Sequence, residues 1–136
     1  MIKVKNLSVH IQDKILLENI QLDISDGDYW VIVGPNGSGK STLLKTLMGI
    51  QAPYSGQITL NQRHIKQYKQ RERAQVMSYV PQNSGRELPF TVEEFVKMSR
   101  YSYHSPLSEW SKQDQLAIEE ALVITDTQSF RTRLMK

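Results

Sequence analysis

Eight consecutive residues, Gly34-Pro35-Asn36-Gly37-Ser38-Gly39-Lys40-Ser41, have the types and spacing to hold phosphate. They fill every fixed position of the pattern G-x-x-x-x-G-K-[ST], which makes a nucleoside triphosphate the first ligand to consider. Backbone N–H groups must converge on phosphate oxygens. Side chains at Gly34, Gly37 or Gly39 would block that approach or forbid the positive φ angles it needs. Lys40 supplies a point charge for the β and γ phosphates. Ser41, in the first helical turn, can offer its hydroxyl to Mg²⁺ while the helix N-terminus adds partial positive charge.

Such a loop needs a strand to lead into it and a helix to leave it. Tyr29-Trp30-Val31-Ile32-Val33 reads as a short buried strand, and Ser41-Thr42-Leu43-Leu44-Lys45-Thr46-Leu47-Met48 reads as a helix. Earlier, Ile2, Val4, Leu7, Val9 and Ile11 alternate with a one-residue slip at Lys5-Asn6. Ile20, Leu22 and Ile24 form a second alternating run. Both predict half-buried antiparallel strands, with Ser25-Asp26-Gly27-Asp28 as the turn before the loop-feeding strand.

After the loop helix, Gly49 reads as a helix stop, Pro53-Tyr54-Ser55-Gly56 as a turn and Gln57-Ile58-Thr59-Leu60 as a strand. Residues 69–75 are polar and helix-permissive. Val76-Met77-Ser78-Tyr79-Val80, halted by Pro81, predicts a second central strand. Residues 83–89 are rich in turn formers. Thr91-Val92-Glu93-Glu94 has capping-box spacing and predicts a helix to about Arg100. Ser111-Lys112-Gln113-Asp114 starts another helix by a weaker form of the same signal.

The totals bound the function classes. A chain of 136 residues with 39% hydrophobic and 23% charged residues suits one domain with a real core. The net charge of +3 is modest and no run of five or six like charges occurs, so nucleic acid is not an expected partner. Without cysteine there are no disulfides, thiolate metal sites or thiol nucleophiles. No apolar run approaches the roughly 18 residues of a membrane span, and the first residues carry no signal-peptide core. A cytoplasmic protein is expected.

The order of these motifs carries more than any one of them. An alternating β layer, then the phosphate loop followed by Thr42-Leu43-Leu44, then Ser55-Gly56-Gln57-Ile58, then Tyr79-Val80-Pro81-Gln82, together resemble the ATP-binding subunits of ABC transporters. The resemblance implies an α/β fold of P-loop NTPase type, with an N-terminal antiparallel β layer, a partly parallel sheet around the loop and a following helical segment. It implies that the chain is a partial nucleotide-binding domain over 1–136. About 1–90 would be β subdomain and core as far as the Q-loop, and about 91–136 a helical segment ending before the signature motif.

By position, the resemblance gives phosphate contacts to Gly34, Pro35, Asn36, Gly37, Ser38, Gly39, Lys40, Ser41 and Thr42. It assigns Mg²⁺ to Ser41 and Gln82, and a catalytic part to Lys40 and Gln82. A glutamine can donate and accept but is no general base. ATP and Mg²⁺ are the implied ligands, with transmembrane permease subunits and a second ATP-binding subunit as partners at the cytoplasmic face of the membrane. Residues 94–122 are similar to the helical insert of importers for iron-siderophore, haem or cobalamin, which faces the membrane subunits.

Two departures limit the inference. The family stacks an aromatic residue on adenine, and alignment on Leu7-Ser8-Val9 puts Ile11 there, with His10 beside it. Ile11 gives no π stacking, so weaker base binding is expected. Secondly, no Leu-Ser-Gly-Gly-Gln signature, Walker B acidic pair or switch histidine occurs before Lys136. Leu122-Val123-Ile124-Thr125-Asp126 could be a strand ending in a metal-binding acid. The helix beginning near Ser111, however, runs into it without a turn signal, and Thr127 stands where a water-polarising glutamate belongs. The expectation is a truncated ATP-binding subunit that binds ATP without hydrolysing it alone. A non-enzymatic nucleotide-binding module or decayed remnant, and a soluble non-transport ABC ATPase, are the alternatives.

Overall fold

A computed structural model describes residues 1–51, 55–82, 88–104 and 108–135. They divide into two compact units, Met1–Arg73 with Met77–Tyr79, and Ala74–Val76 with Val80–Lys136.

The first unit is built on two long strands, β1 (Ile2–Ile11) and β2 (Lys14–Ile24), joined by a tight turn in which Gln12 has a φ of 53°. They pair antiparallel from Ile2↔Ile24 to Ile11↔Lys14. The slip predicted at Lys5-Asn6 is present: the register shifts between Val4 and Leu7, and Asn6 turns left-handed at a φ of 50°. This bulge returns Leu7 and Val9 to the core face that Val4 began, where all three are buried. Strands β3 (Ser55–Leu60) and β4 (Arg63–His64) complete an antiparallel sheet of order β2-β1-β3-β4. Helix α1 (Lys40–Leu47) covers its apolar face, where Leu43 and Leu47 join Val4, Leu7, Val9, Leu17, Ile58 and Ile65.

Two expected strands are not formed. Residues 29–33 and 76–80 carry no strand assignment, and no parallel pairing occurs among the described residues. A strand exists only as part of a ladder, and among the described residues neither segment has backbone to pair with. Tyr29, Val31 and Val33 stand 93%, 68% and 84% exposed, and Val80 89%. Their β-branched and aromatic composition was legible, but composition supplies no partner.

In the second unit, α3 (Val92–Met98) and α4 (Lys112–Ile124) carry the two expected capping boxes. The Glu94 amide donates to Thr91 Oγ1 while Glu94 Oε2 accepts from the Thr91 amide at 2.8 Å. The Asp114 amide donates to Ser111 Oγ, and Asp114 Oδ2 accepts from the Ser111 amide at 3.0 Å. α3 gives way to a 3-10 turn over Ser99–Ser102. Short α2 (Gln70–Ala74) lies across the division between the units. The stretch 131–135 returns antiparallel along the entrance of α3. Val92 N donates to Arg133 O, Glu93 N to Arg131 O and Met135 N to Phe90 O, so the strand-like return satisfies amides that a helix start leaves open.

Candidate functional site: the glycine loop and the start of α1

The loop from Gly34 to Gly39 turns the chain from the sheet side into α1. A turn locks its approach: the Ser25 amide donates to Asp28 Oδ2 at 2.8 Å, and Trp30 Nε1 reaches the same oxygen at 3.3 Å. The Ser25 amide bond, with the indole second, holds the Asp28 carboxyl below the usual carboxylate range.

Glycine is required in the loop for two different reasons. Gly37 and Gly39 are both left-handed, at φ 83° and 89°. Around Gly37 a Cβ would meet nothing within 4 Å, so only the backbone angle demands glycine there. At Gly39 a Cβ would stand 2.9 Å from both Leu16 O and Leu17 Cδ2. The loop therefore rests directly on β2, with no room for a side chain between.

α1 begins at Lys40 without a side-chain cap. The opening amides of a helix without a cap, carrying partial positive charge, suit an anion. The Lys40 ammonium donates to Gly34 O and Pro35 O, each at 2.8 Å, so the one strong positive charge is held over the loop it would serve. Ser41 is exposed in the first turn. Thr42 is half-buried and gives its carbonyl to Thr46 Oγ1 at 2.7 Å, which satisfies the fully buried Thr46 hydroxyl inside the helix. At the far end of α1 the Arg73 guanidinium stands against Gly49, where a cation favours the carboxyl end of the dipole. Neither Leu16 nor Arg73 carried a sequence signal for these supporting contacts, because both are made across the fold.

The expected phosphate residues, Gly34 to Thr42, thus form one continuous turn and helix start in the first unit. Gln82 belongs to the second unit, exposed at a bend after Pro81, and the residues 83–87 that follow lie outside the described residues. Of the base-stacking candidates, His10 and Ile11 are both exposed at the end of β1, with His10 opposite Ile15 and Ile11 opposite Lys14. The strand reading of 122–126 is excluded: Leu122 to Ile124 are the last turn of α4. Asp126 follows in the helix exit at a φ of 52°, its amide bonded to Val123 O. Among the described residues no group of three His, Cys, Asp or Glu side chains is placed to hold a metal. The fit for Mg²⁺ rests on the Ser41 hydroxyl together with the phosphates it would share.

Elsewhere, a groove of about 920 Å³ runs between α3 and α4, lined by Phe90, Met98, Tyr101, Trp110 and Leu116 among others. Polar contacts also tie the helical unit together. The buried Asp114 carboxylate takes Ser111 Oγ at 2.5 Å and Arg100 Nε at 2.9 Å, and His104 Nε2 lies 3.2 Å away. The Ser111 hydroxyl bond is the main cause holding Asp114 well below the usual carboxylate range, against the opposing effect of burial. Arg131 also joins the elements, bonding Glu119 on α4 and lying 3.4 Å from Glu93 on α3.

A glycine-turned loop seated on a strand and opening an uncapped helix places the chain among phosphate-loop proteins. The family model described as ABC transporter matches residues 17–135, so the chain belongs to the ABC transporter family. It is 34% identical over 132 residues to the probable siderophore transport system ATP-binding protein YusV of Bacillus subtilis, covering 97% of this chain and 48% of that protein. It is 37% identical over 108 residues to the ferric enterobactin transport ATP-binding protein FepC of Escherichia coli, covering 79% of this chain and 40% of that one. Among solved structures, the dimeric bacterial ABC transporter cassette MJ0796 superposes with a TM-score of 0.74 at 23% identity, over 98% of this chain and 61% of its own. The chain spans about half the length of the curated relatives it matches or less.

Proposed function

We propose that this chain is the nucleotide-binding part of an ABC importer's ATP-binding subunit, serving uptake of an iron complex. The carrying observation is the start of α1: left-handed Gly37 and Gly39, no side-chain cap, and Lys40 within 2.8 Å of two loop carbonyls. ATP phosphates lie along 34–42, with amides and the helix dipole facing them and Lys40 turning from the Gly34 and Pro35 carbonyls to the β and γ oxygens. Ser41 would hold Mg²⁺, with Gln82 as the second ligand only by the family resemblance, and the bound ion would supply charge neutralisation at the phosphates. The same resemblance leaves open that Gln82 would instead contact the attacking water. The siderophore and ferric enterobactin transport named for the relatives favours an iron complex as cargo. Membrane permease subunits and a second ATP-binding subunit are the partners, at the cytoplasmic face of the membrane, and the α3–α4 groove offers apolar surface to a permease. No described helix is long and apolar enough to cross a membrane itself.

The 136-residue polypeptide alone binds ATP without turning it over. Its one acid in the position of a metal-binding strand end, Asp126, lies instead in a helix exit. Titration of ATP with Mg²⁺ against this polypeptide and Lys40→Ala tests the site. The variant loses tenfold or more in affinity, as removal of charged hydrogen bonds of about 1.5–3 kcal/mol requires. Equal binding by the two removes the proposal. Steady ATP turnover by the 136-residue chain, abolished by Lys40→Ala, removes the statement about hydrolysis.

A further inference from the structure

The positive charge of this protein is concentrated in one exposed strip. Seventeen Lys and Arg stand against fourteen Asp and Glu in the whole chain. Five of the basic residues, Arg63, Lys66, Lys69, Arg71 and Arg73, fall within eleven residues that contain a single acid, Glu72. The rest of the chain is close to neutral. In sequence the strip is inconspicuous, because polar and apolar residues separate the charges and no run forms. They are carried by β4, the 3-10 turn Ile65–Gln67 and the start of α2, which follow one another in the first unit, anchored by fully buried Ile65.

The remaining side chains of the strip stiffen it. Tyr68 donates its hydroxyl to Leu60 O at 2.8 Å, and the Arg63 guanidinium lies 4.4 Å from the centre of its ring. Glu72 accepts from the Lys69 amide at 2.8 Å and from Arg63 at 3.3 Å. Arg63, Lys66, Lys69 and Arg71 are exposed, and α2 buries none of its residues. The result is a rigid, basic, outward face with no apolar core of its own.

We propose that this face, Arg63 to Arg73, is an electrostatic contact with the anionic headgroups of a lipid bilayer. The inference rests on the reading of the chain as a transporter subunit, which puts the protein beside a membrane. Clustered Lys and Arg at such a surface add attraction residue by residue, falling off within a Debye length of about 10 Å. The strip lacks what nucleic acid would require. Tyr68 is half-buried beneath Arg63, and His64 is half-buried with its Nδ1 accepting from the Lys66 amide, so neither ring is an open stacking platform, and the five-residue α2 is too short to read a groove. The contact complements a permease interface by fixing which side of the subunit leans on the bilayer.

Flotation of the 136-residue protein with phosphatidylcholine vesicles, with and without about one-third phosphatidylserine, tests this at two salt concentrations. Binding to the anionic vesicles exceeds binding to the neutral ones by at least tenfold and collapses at high salt. The triple variant Lys66→Glu, Lys69→Glu, Arg71→Glu abolishes the difference, and the milder Lys66→Gln, Lys69→Gln, Arg71→Gln reduces it. A control with the same change of charge, Lys5→Glu, Lys14→Glu, Lys112→Glu, retains more than the strip variant. Equal binding to both vesicle types, equal loss in strip and control variants, or displacement from vesicles by a stoichiometric oligonucleotide each overturns the inference. ATP titration on the same samples separates the outcomes: loss of vesicle binding with ATP affinity intact concerns the strip alone. Absence of ATP binding in the unaltered protein instead removes the functional reading beneath it.

Discussion

Gly39 lies against Leu17 so closely that a Cβ on the glycine would stand 2.9 Å from Leu17 Cδ2. The phosphate loop is therefore seated on the buried face of β2, and its shape is set by the sheet as well as by its own glycines. This separates Gly39 from Gly37, which is equally left-handed but meets nothing. Gly37→Ala carries only the backbone penalty of about 1–2 kcal/mol. Gly39→Ala adds a collision with Leu16 O, which cannot rotate away, and costs about 1–3 kcal/mol more. Denaturant unfolding of the two variants checks the order. Equal destabilisation means that β2 does not support the loop.

The base site gives a second test. Ile11 is exposed at the end of β1, on the hairpin whose second strand carries Gly39's support. An aliphatic side chain covers a purine face by area alone, whereas an aromatic ring adds about 0.5–1.5 kcal/mol of stacking. Ile11→Tyr thus tightens ATP roughly two- to tenfold and leaves inorganic triphosphate unchanged. Calorimetric titration of both ligands reads the difference. Equal ATP affinities for wild type and variant would mean that Ile11 does not meet the base.

How far the sequence reached is clearest where local and long-range causes part. Capping boxes, the loop glycines and the bulge at Asn6 depend on residues within a few positions, and Thr91, Ser111, Gly37 and Asn6 do what their types predict. Strands at 29–33 and 76–80 depend on partner backbone, which strand-favouring composition does not supply, and they stand unpaired among the described residues. The support of Gly39 by Leu16, the place of Arg73 at the end of α1 and the clasp of 131–135 on α3 join residues 22 or more apart. Nothing in the local pattern marks them. The basic strip failed to register for another reason, since charge was sought as an unbroken run and other residues separate these five.

Asp126 provides a negative control for the hydrolytic site. Its left-handed φ of 52° in the exit of α4 is one that asparagine adopts readily. Asp126→Asn leaves stability within about 0.5 kcal/mol and ATP affinity with Mg²⁺ unchanged. Isothermal titration with and without the metal checks it. A metal-dependent loss of affinity would return this acid to the nucleotide site.

The pH response of the helical unit follows from Asp114. Its carboxyl lies below its ordinary value chiefly because Ser111 Oγ donates to it, with the Ser111 amide, Arg100 and His104 adding to the effect against burial. In the unfolded chain the group titrates near the usual aspartate value of about 3.9. A carboxyl that binds its proton less readily when folded stabilises the protein fully above that value, and the contribution declines as pH falls below it. Glu94 is lowered as well, through the Thr91 amide and hydroxyl, and acts in the same direction. The melting temperature therefore falls as pH is taken from about 5 to about 3, and Asp114→Asn flattens that fall while lowering stability at neutral pH. Ser111→Ala does the same more weakly, since Arg100 Nε still donates to Asp114 at 2.9 Å. Parallel acid slopes for wild type and Asp114→Asn would show that the buried carboxylate is not what links α4 to pH.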